Sequence, residues 1–125
     1  MTSRGNARIL VVEDEALIAM DLQALLEEAG YRVLGPANSS AAALALIDSD
    51  APDVALLDVN LGRSDAFGVA TILAERRTQV IFLTGHTAHM LPQSHRHLPL
   101  VSKPYLPQVL LQAVEQALEK RQAAS

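Results

Sequence analysis

Cysteine is absent from the 125 residues, which excludes disulfides, thiol redox chemistry and cysteine-based zinc sites. Aromatic side chains make up only 3% of the chain, so a core must be assembled from Leu, Val, Ile and Ala. No apolar run approaches the roughly 20 residues needed to cross a bilayer. The start, MTSRGNARILVVEDE, holds one short apolar stretch that ends in three acids, unlike a signal peptide. Clusters of Lys and Arg are missing too. With a net charge of −4 and a pI near 5.4, the chain lacks the basic patch that nucleic acid requires. The expectation is a soluble cytoplasmic protein that engages neither membrane nor nucleic acid.

What is present favours collapse. Half the residues are hydrophobic and 19% are charged, enough apolar surface for a packed core at this length. The chain is expected to form one domain over residues 1–125, with its core from about 7 to 120 and flexible termini.

Apolar periodicity alternates along the chain. RILVV (8–12) is a short continuous run, followed by Glu13, Asp14 and Glu15. From Ala16 to Ala29 the period becomes helical, with Ile18, Leu22, Leu25, Leu26 and Ala29 on one face and Gly30 as the stop. Tyr31 to Leu34 reads as a strand ended by Gly35-Pro36. Asn38, Ser39 and Ser40 offer N-cap oxygens for an Ala-rich helix reaching about Ile47. Asp53 to Leu57 is a strand, Arg63 to Arg76 a helix with Phe67, Ala70, Leu73 and Ile72 inward, and Val80 to Leu83 a strand. Residues 86–97 are polar and hold Pro92, giving one or two helical turns at most. Leu98 to Val101 is a weak fifth strand. Pro107 starts a last helix with Leu110, Leu111, Val114, Ala117 and Leu118 inward, fraying after Lys120. Five alternations of short apolar strands with helices predict an α/β fold with a parallel sheet covered on both faces.

Ligands of such sheets bind outside the carboxyl ends of the strands. Here those ends carry Glu13 and Asp14, Asp58, Thr84 and Lys103. Three carboxylates gathered together repel, and a hard divalent cation such as Mg²⁺ resolves the repulsion. Lys103 supplies a fixed positive charge for an anion, Thr84 a hydroxyl, and Gly85 leaves room for a phosphate-sized group. Carboxylates, Mg²⁺, ammonium and hydroxyl together describe phosphoryl transfer.

ILVVEDE, ALLDVNLG, IFLTG and VSKPY, in this order and each at a strand end, resemble the receiver domain of two-component response regulators from about Ala7 to Lys120. The resemblance implies a doubly wound, flavodoxin-like (βα)5 fold with strand order 2-1-3-4-5 and a short or irregular fourth helix. It implies Asp58 as phosphoacceptor, with Glu13, Asp14, Asp58 and the backbone carbonyl of Asn60 around Mg²⁺. Lys103 would pair with the phosphoryl oxygens and Thr84 would hydrogen-bond them; the Lys103-Pro104 bond is commonly cis in the family. The implied partners are a histidine kinase or histidine phosphotransfer protein and a downstream protein, with the receiver itself a monomer or weak homodimer. Such a protein is not a turnover enzyme, although it promotes its own phosphorylation and dephosphorylation. FLTGH, GPANS and DVNLG are similar to a stand-alone F-x-T-G subgroup common in alphaproteobacteria. Two departures stand out. Glu13 replaces a frequent Asp, and Leu100 stands where most receivers have a Tyr or Phe that reports the state of the Thr.

Two other functions are compatible with parts of this pattern. A haloacid dehalogenase-type Mg²⁺ phosphatase also uses an Asp nucleophile, but wants a second Asp where Asn60 stands. A receiver-like module could bind partners without phosphorylation. Two arrangements fit the absence of an output domain: a receiver acting alone or through a relay, or part of a longer chain. Taken alone, Asp58 could cap the following helix, Glu15 could be a first-turn acid favoured by the helix dipole, and Arg76-Arg77 reads as a solvated helix end. His86, His89, His95 and His97 lie close in sequence without an accompanying carboxylate, which fits a solvated loop better than zinc.

Overall fold

A computed structural model describes residues 7–59, 66–85 and 99–124. Five parallel strands form one sheet in the order β2-β1-β3-β4-β5, with β1 at Arg8–Val12, β2 at Arg32–Ala37, β3 at Val54–Asp58, β4 at Gln79–Thr84 and β5 at Leu100–Ser102. Four helices are present among the described residues: α1 (Ala16–Glu28), α2 (Ser40–Ser49), α3 (Ala66–Glu75) and α4 (Pro107–Ala124). The expected strand order is therefore observed. Residues 86–97, where a short fourth helix was expected, lie outside the described residues.

Alternation along each strand divides the core in two. Leu10, Val12, Ala55, Leu57, Val80 and Phe82 face α2 and α3, while Ile9, Val11, Val54, Leu56, Ile81 and Leu83 face α1 and α4. The three central strands are buried on both faces, which is why their sequences read as unbroken apolar runs. Phe82 meets Phe67 edge to face, ring centres 5.7 Å apart, on the α2–α3 side of the sheet, while Tyr31 and Tyr105 pack on the α1–α4 side.

Several element bounds differ from the sequence reading for identifiable reasons. The second strand does not stop at Leu34 but runs through Gly35-Pro36 to Ala37. Its pairing with β1 advances from Leu10↔Leu34 to Val12↔Ala37, three residues against two, which is a bulge. Gly35 makes it possible with φ at +95°. In α1, Ala19 joins Leu22 and Leu26 in the core, whereas Ala29 is the exposed C-cap residue, and Gly30 follows it with φ at +96°. Glu15 is the N-cap residue itself and makes no side-chain cap, so it is not a first-turn acid. Of the three candidate caps for α2, Ser39 accepts from the Ala42 N–H at 3.1 Å. The described part of α3 begins at Ala66, and β5 is Leu100–Ser102 rather than Leu98–Val101.

The last helix continues past Lys120 to Ala124 instead of fraying. Arg121 holds it there, its guanidinium 3.0 Å from Asp53 at the foot of β3. Asp53 also accepts the Arg8 N–H at 2.8 Å, and Arg8 reaches Asp50 at 2.8 Å. This cluster of paired charges closes the amino-terminal end of the sheet, opposite the end that carries the acids of the carboxyl edge. No helix among the described residues is long and apolar enough to cross a membrane.

Candidate functional site

β1 and β3 are neighbours at the centre of the sheet, and the chain leaves them in opposite directions, β1 toward β2 and β3 toward β4. That divergence opens a crevice at their carboxyl ends. Glu13 enters it directly after β1, and Asp58 is the last residue of β3. Leu56 and Leu57 hold the strand with no exposed surface, so the carboxylate that ends it is fixed by its own backbone. Glu13 and Asp58 are both buried and Asp14 is exposed. One carboxylate oxygen from each of the three lies within 4.8 Å of the others.

Lys103 completes the group from the end of β5. Its ammonium lies 2.7 Å from Glu13 Oε1 and 3.3 Å from Asp58 Oδ2. The Lys103 N–H donates to the Thr84 carbonyl at 2.7 Å, so ammonium and hydroxyl are carried by neighbouring rungs of the β4–β5 ladder. The Lys103-Pro104 bond is cis, as expected. Thr84 is buried, and a Cβ placed on Gly85 next to it in sequence would meet no described atom within 4 Å. The five expected side chains Glu13, Asp14, Asp58, Thr84 and Lys103 are thus at one end of the sheet. Asn60 and the four histidines lie outside the described residues. Leu100 is half-buried opposite Phe82 and packs into the core on the α2–α3 side.

Glu13 is held at both its backbone and its side chain. Its N–H donates to the Ala37 carbonyl at 2.9 Å, and its Oε2 accepts the Glu15 N–H at 3.2 Å. Burial pushes its carboxyl up to about 7; the adjacent Asp58 adds to this, against the opposing pull of Lys103 and the Glu15 amide. The Lys103 ammonium feels burial in the opposite sense, but its hydrogen bond to Glu13 and the charges of Asp58 and Glu13 outweigh it and raise its value. A buried carboxyl poised to shed its proton beside two further acids is a donor set that suits a hard divalent cation. Sequence reasoning missed the Ala37 carbonyl and the Glu15 amide. One signal was available: Leu34 and Ala37 can share a core face at a three-residue interval only if the strand carries an extra residue.

Between α1 and the turn from β5 into α4 lies a groove of about 700 Å³, opening beside Lys103. Ile18, Leu25, Pro104 and Tyr105 give it apolar walls, and Glu15, Asp21 and Glu28 line it with acid. Burial lifts the Tyr105 hydroxyl to about 12, helped by Asp21 and Glu13. Leu17 and Met20 on α1, with Leu106 just before α4 and Val109 in its first turn, are exposed large apolar side chains.

Comparison with known proteins agrees with this geometry. Residues 9–115 match the family model described as response regulator receiver domain. The chain is 32% identical over 117 residues to the transcriptional regulatory protein PdtaR of Mycobacterium tuberculosis, covering 90% of this chain and 57% of that protein. It is 36% identical over 121 residues to the phyllosphere-induced regulator PhyR of Methylorubrum extorquens, covering 93% and 45%. The crystal structure of the response regulator PhyR from Brucella abortus superposes with a TM-score of 0.83 at 33% identity, over 95% of this chain and 50% of that one. The chain therefore spans about half the length of these relatives. A match running from the first strand into the last helix, on a sheet of this order, makes the chain a member of the response regulator receiver family of two-component signalling proteins.

Proposed function

We propose that this receiver accepts a phosphoryl group on Asp58 in a Mg²⁺-dependent reaction and thereby switches its binding to a partner. The observation that carries the reading is the position of the Asp58 carboxylate. It is buried, 3.3 Å from the Lys103 ammonium, within a triad of acids. Asp14 and Asp58, with Glu13 and the backbone of Asn60, are the residues that would hold Mg²⁺. When bound there, the ion supplies positive charge that offsets the negative charge on the oxygens of the transferring group.

The chain's own groups divide the remaining work. An Asp58 oxygen attacks phosphorus while the bond from phosphorus to the donor breaks. That donor is the imidazole nitrogen of a phosphohistidine or the acyl oxygen of a small phosphodonor, and it leaves with the bonding electron pair. Lys103 balances charge on the phosphoryl oxygens, and the Thr84 hydroxyl donates to one of them. The Lys103 N–H bond to the Thr84 carbonyl then ties both responses to the same pair of strands. A histidine kinase or histidine phosphotransfer protein is the phosphodonor this site fits. The acid-lined groove against α1 supports docking of such a partner beside Asp58, through a helix with apolar and basic side chains.

Incubation with acetyl phosphate and Mg²⁺ should add one phosphoryl group, detected by intact mass, and Asp58→Asn should abolish the adduct. A wild-type protein that takes up no phosphoryl group yet still binds its partner would instead make it a phosphorylation-independent interaction module.

A further inference from the structure

We propose that the β2 bulge at Gly35–Ala37 is a positioning element of the acid pocket: it fixes Glu13, and through Glu13 it holds Lys103 beside Asp58. The inference rests on the Mg²⁺-dependent phosphoacceptor reading of that pocket and assigns a role within it to residues that approach none of the reacting atoms.

Three observations converge on the bulge. Between Leu10 and Val12 on β1 there is one residue, and between their partners Leu34 and Ala37 on β2 there are two. The extra residue lets Leu34 and Ala37 both face the core while the strand gains length at its carboxyl end. The carbonyl of Ala37 thereby reaches the Glu13 N–H at 2.9 Å, one residue beyond the last β1–β2 pair. The bulge also leaves no freedom in its own composition. Gly35 has φ at +95°, and a Cβ there would stand 2.7 Å from the Ala37 nitrogen and 3.1 Å from the Val11 carbonyl oxygen. Both neighbours are backbone, so neither can turn aside as a side chain would. Any side chain at Gly35 displaces the peptide that carries the bond to Glu13.

The pinned backbone matters because both carboxylate oxygens of Glu13 are engaged, Oε1 by Lys103 at 2.7 Å and Oε2 by the Glu15 N–H at 3.2 Å. A carboxylate held at its backbone and both oxygens is a rigid post. Lys103, anchored on it, is delivered to Asp58 in one geometry. Partners of this kind, one shell out from a metal or its ligands, change metal affinity on the order of tenfold when lost.

The test compares Gly35→Ala with Val33→Ala, a half-buried β2 position outside the bulge, in the full chain. Wild-type Mg²⁺ affinity and the rate of phosphorylation by acetyl phosphate are measured first. If the wild type neither binds Mg²⁺ nor takes the phosphoryl group, the functional reading itself falls. With a competent wild type, Gly35→Ala should weaken Mg²⁺ binding and slow phosphorylation on the order of tenfold. It should also shift the Lys103 side-chain nitrogen resonance, while Val33→Ala lowers the melting temperature and leaves all three unchanged. Equal effects of the two variants, or a folded Gly35→Ala that matches wild type, would overturn the proposal. Should Gly35→Ala not fold, amide exchange of the wild type decides. The Glu13 amide must be protected and slow further on Mg²⁺ addition, and an amide that exchanges freely or ignores Mg²⁺ refutes the positioning role.

Discussion

Among the described residues, Glu13 is the one whose carboxyl is pushed into the neutral range. Its carboxyl is pushed up to about 7, first by burial and then by Asp58, so between 4.5 and about 7 the folded protein holds a proton that an unfolded glutamate has released. The sign follows from linkage. A raised acid contributes stability that is complete below its unfolded value of 4.5 and is lost as pH rises through about 7. In chelator, the urea midpoint should therefore fall between those values, and Glu13→Gln should remove that component of the slope. Mg²⁺ bound as proposed would act on the same proton from the other side, because a cation favours the ionised carboxyl. Its affinity should rise with pH through about 7 and level off above, a profile that isothermal titration at several pH values resolves and that Glu13→Gln flattens. At this scale the sequence was informative about which side chains meet, because an acid ending a run such as ALLD has nowhere to go but the open end of the sheet. It said little about how Glu13 is held, because the Ala37 carbonyl and the Glu15 amide are backbone groups, and only the interval between Leu34 and Ala37 hints at the bulge that brings one of them there.

Among the elements, α1 and the chain entering α4 carry the exposed apolar side chains Leu17, Met20, Leu106 and Val109, and both helices pack on the same side of the sheet and contribute residues to the groove that opens at Lys103. If this surface receives a protein phosphodonor, truncating it should separate two reactions that share one acceptor. The pair Leu17→Ala and Met20→Ala should reduce transfer from a phosphorylated histidine phosphotransfer protein about tenfold, in keeping with loss of an apolar anchor worth more than 1 kcal/mol. Phosphorylation by acetyl phosphate should stay unchanged, since neither residue lines the acid triad. Rates measured with both donors check this, and a parallel loss with each would place the fault in the acceptor instead. Among the described residues element existence was legible from periodicity, and the failures fell at bounds. Gly35-Pro36 carries strong turn chemistry, yet the neighbouring strand recruited it into a bulge. Lys120 to Ala124 lacks an apolar stripe of its own, yet the ion pair between Arg121 and Asp53 keeps it helical.

For the molecule as a whole, one sheet separates two apolar layers that share no helix. Small deletions on opposite faces should then act independently. Ile47→Val beneath α2 and Ile9→Val on the α1 side should each cost about 0.5–1.5 kcal/mol. The double variant should lose their sum within about 0.5 kcal/mol, as read from urea unfolding. A larger departure would mean that strain passes through the sheet. The same sheet also organises charge along its strands. At the amino-terminal end, Arg8 and Arg121 are matched against Asp50 and Asp53. From Ile9 to Tyr31 there are six acids and no Lys, Arg or His. The flank of α1 is therefore negative, and a partner diffusing toward it would feel that charge before any surface interlocks. If a protein phosphodonor docks there as proposed, basic donors would gain association rate at low ionic strength and lose the advantage as salt shortens the reach of the field.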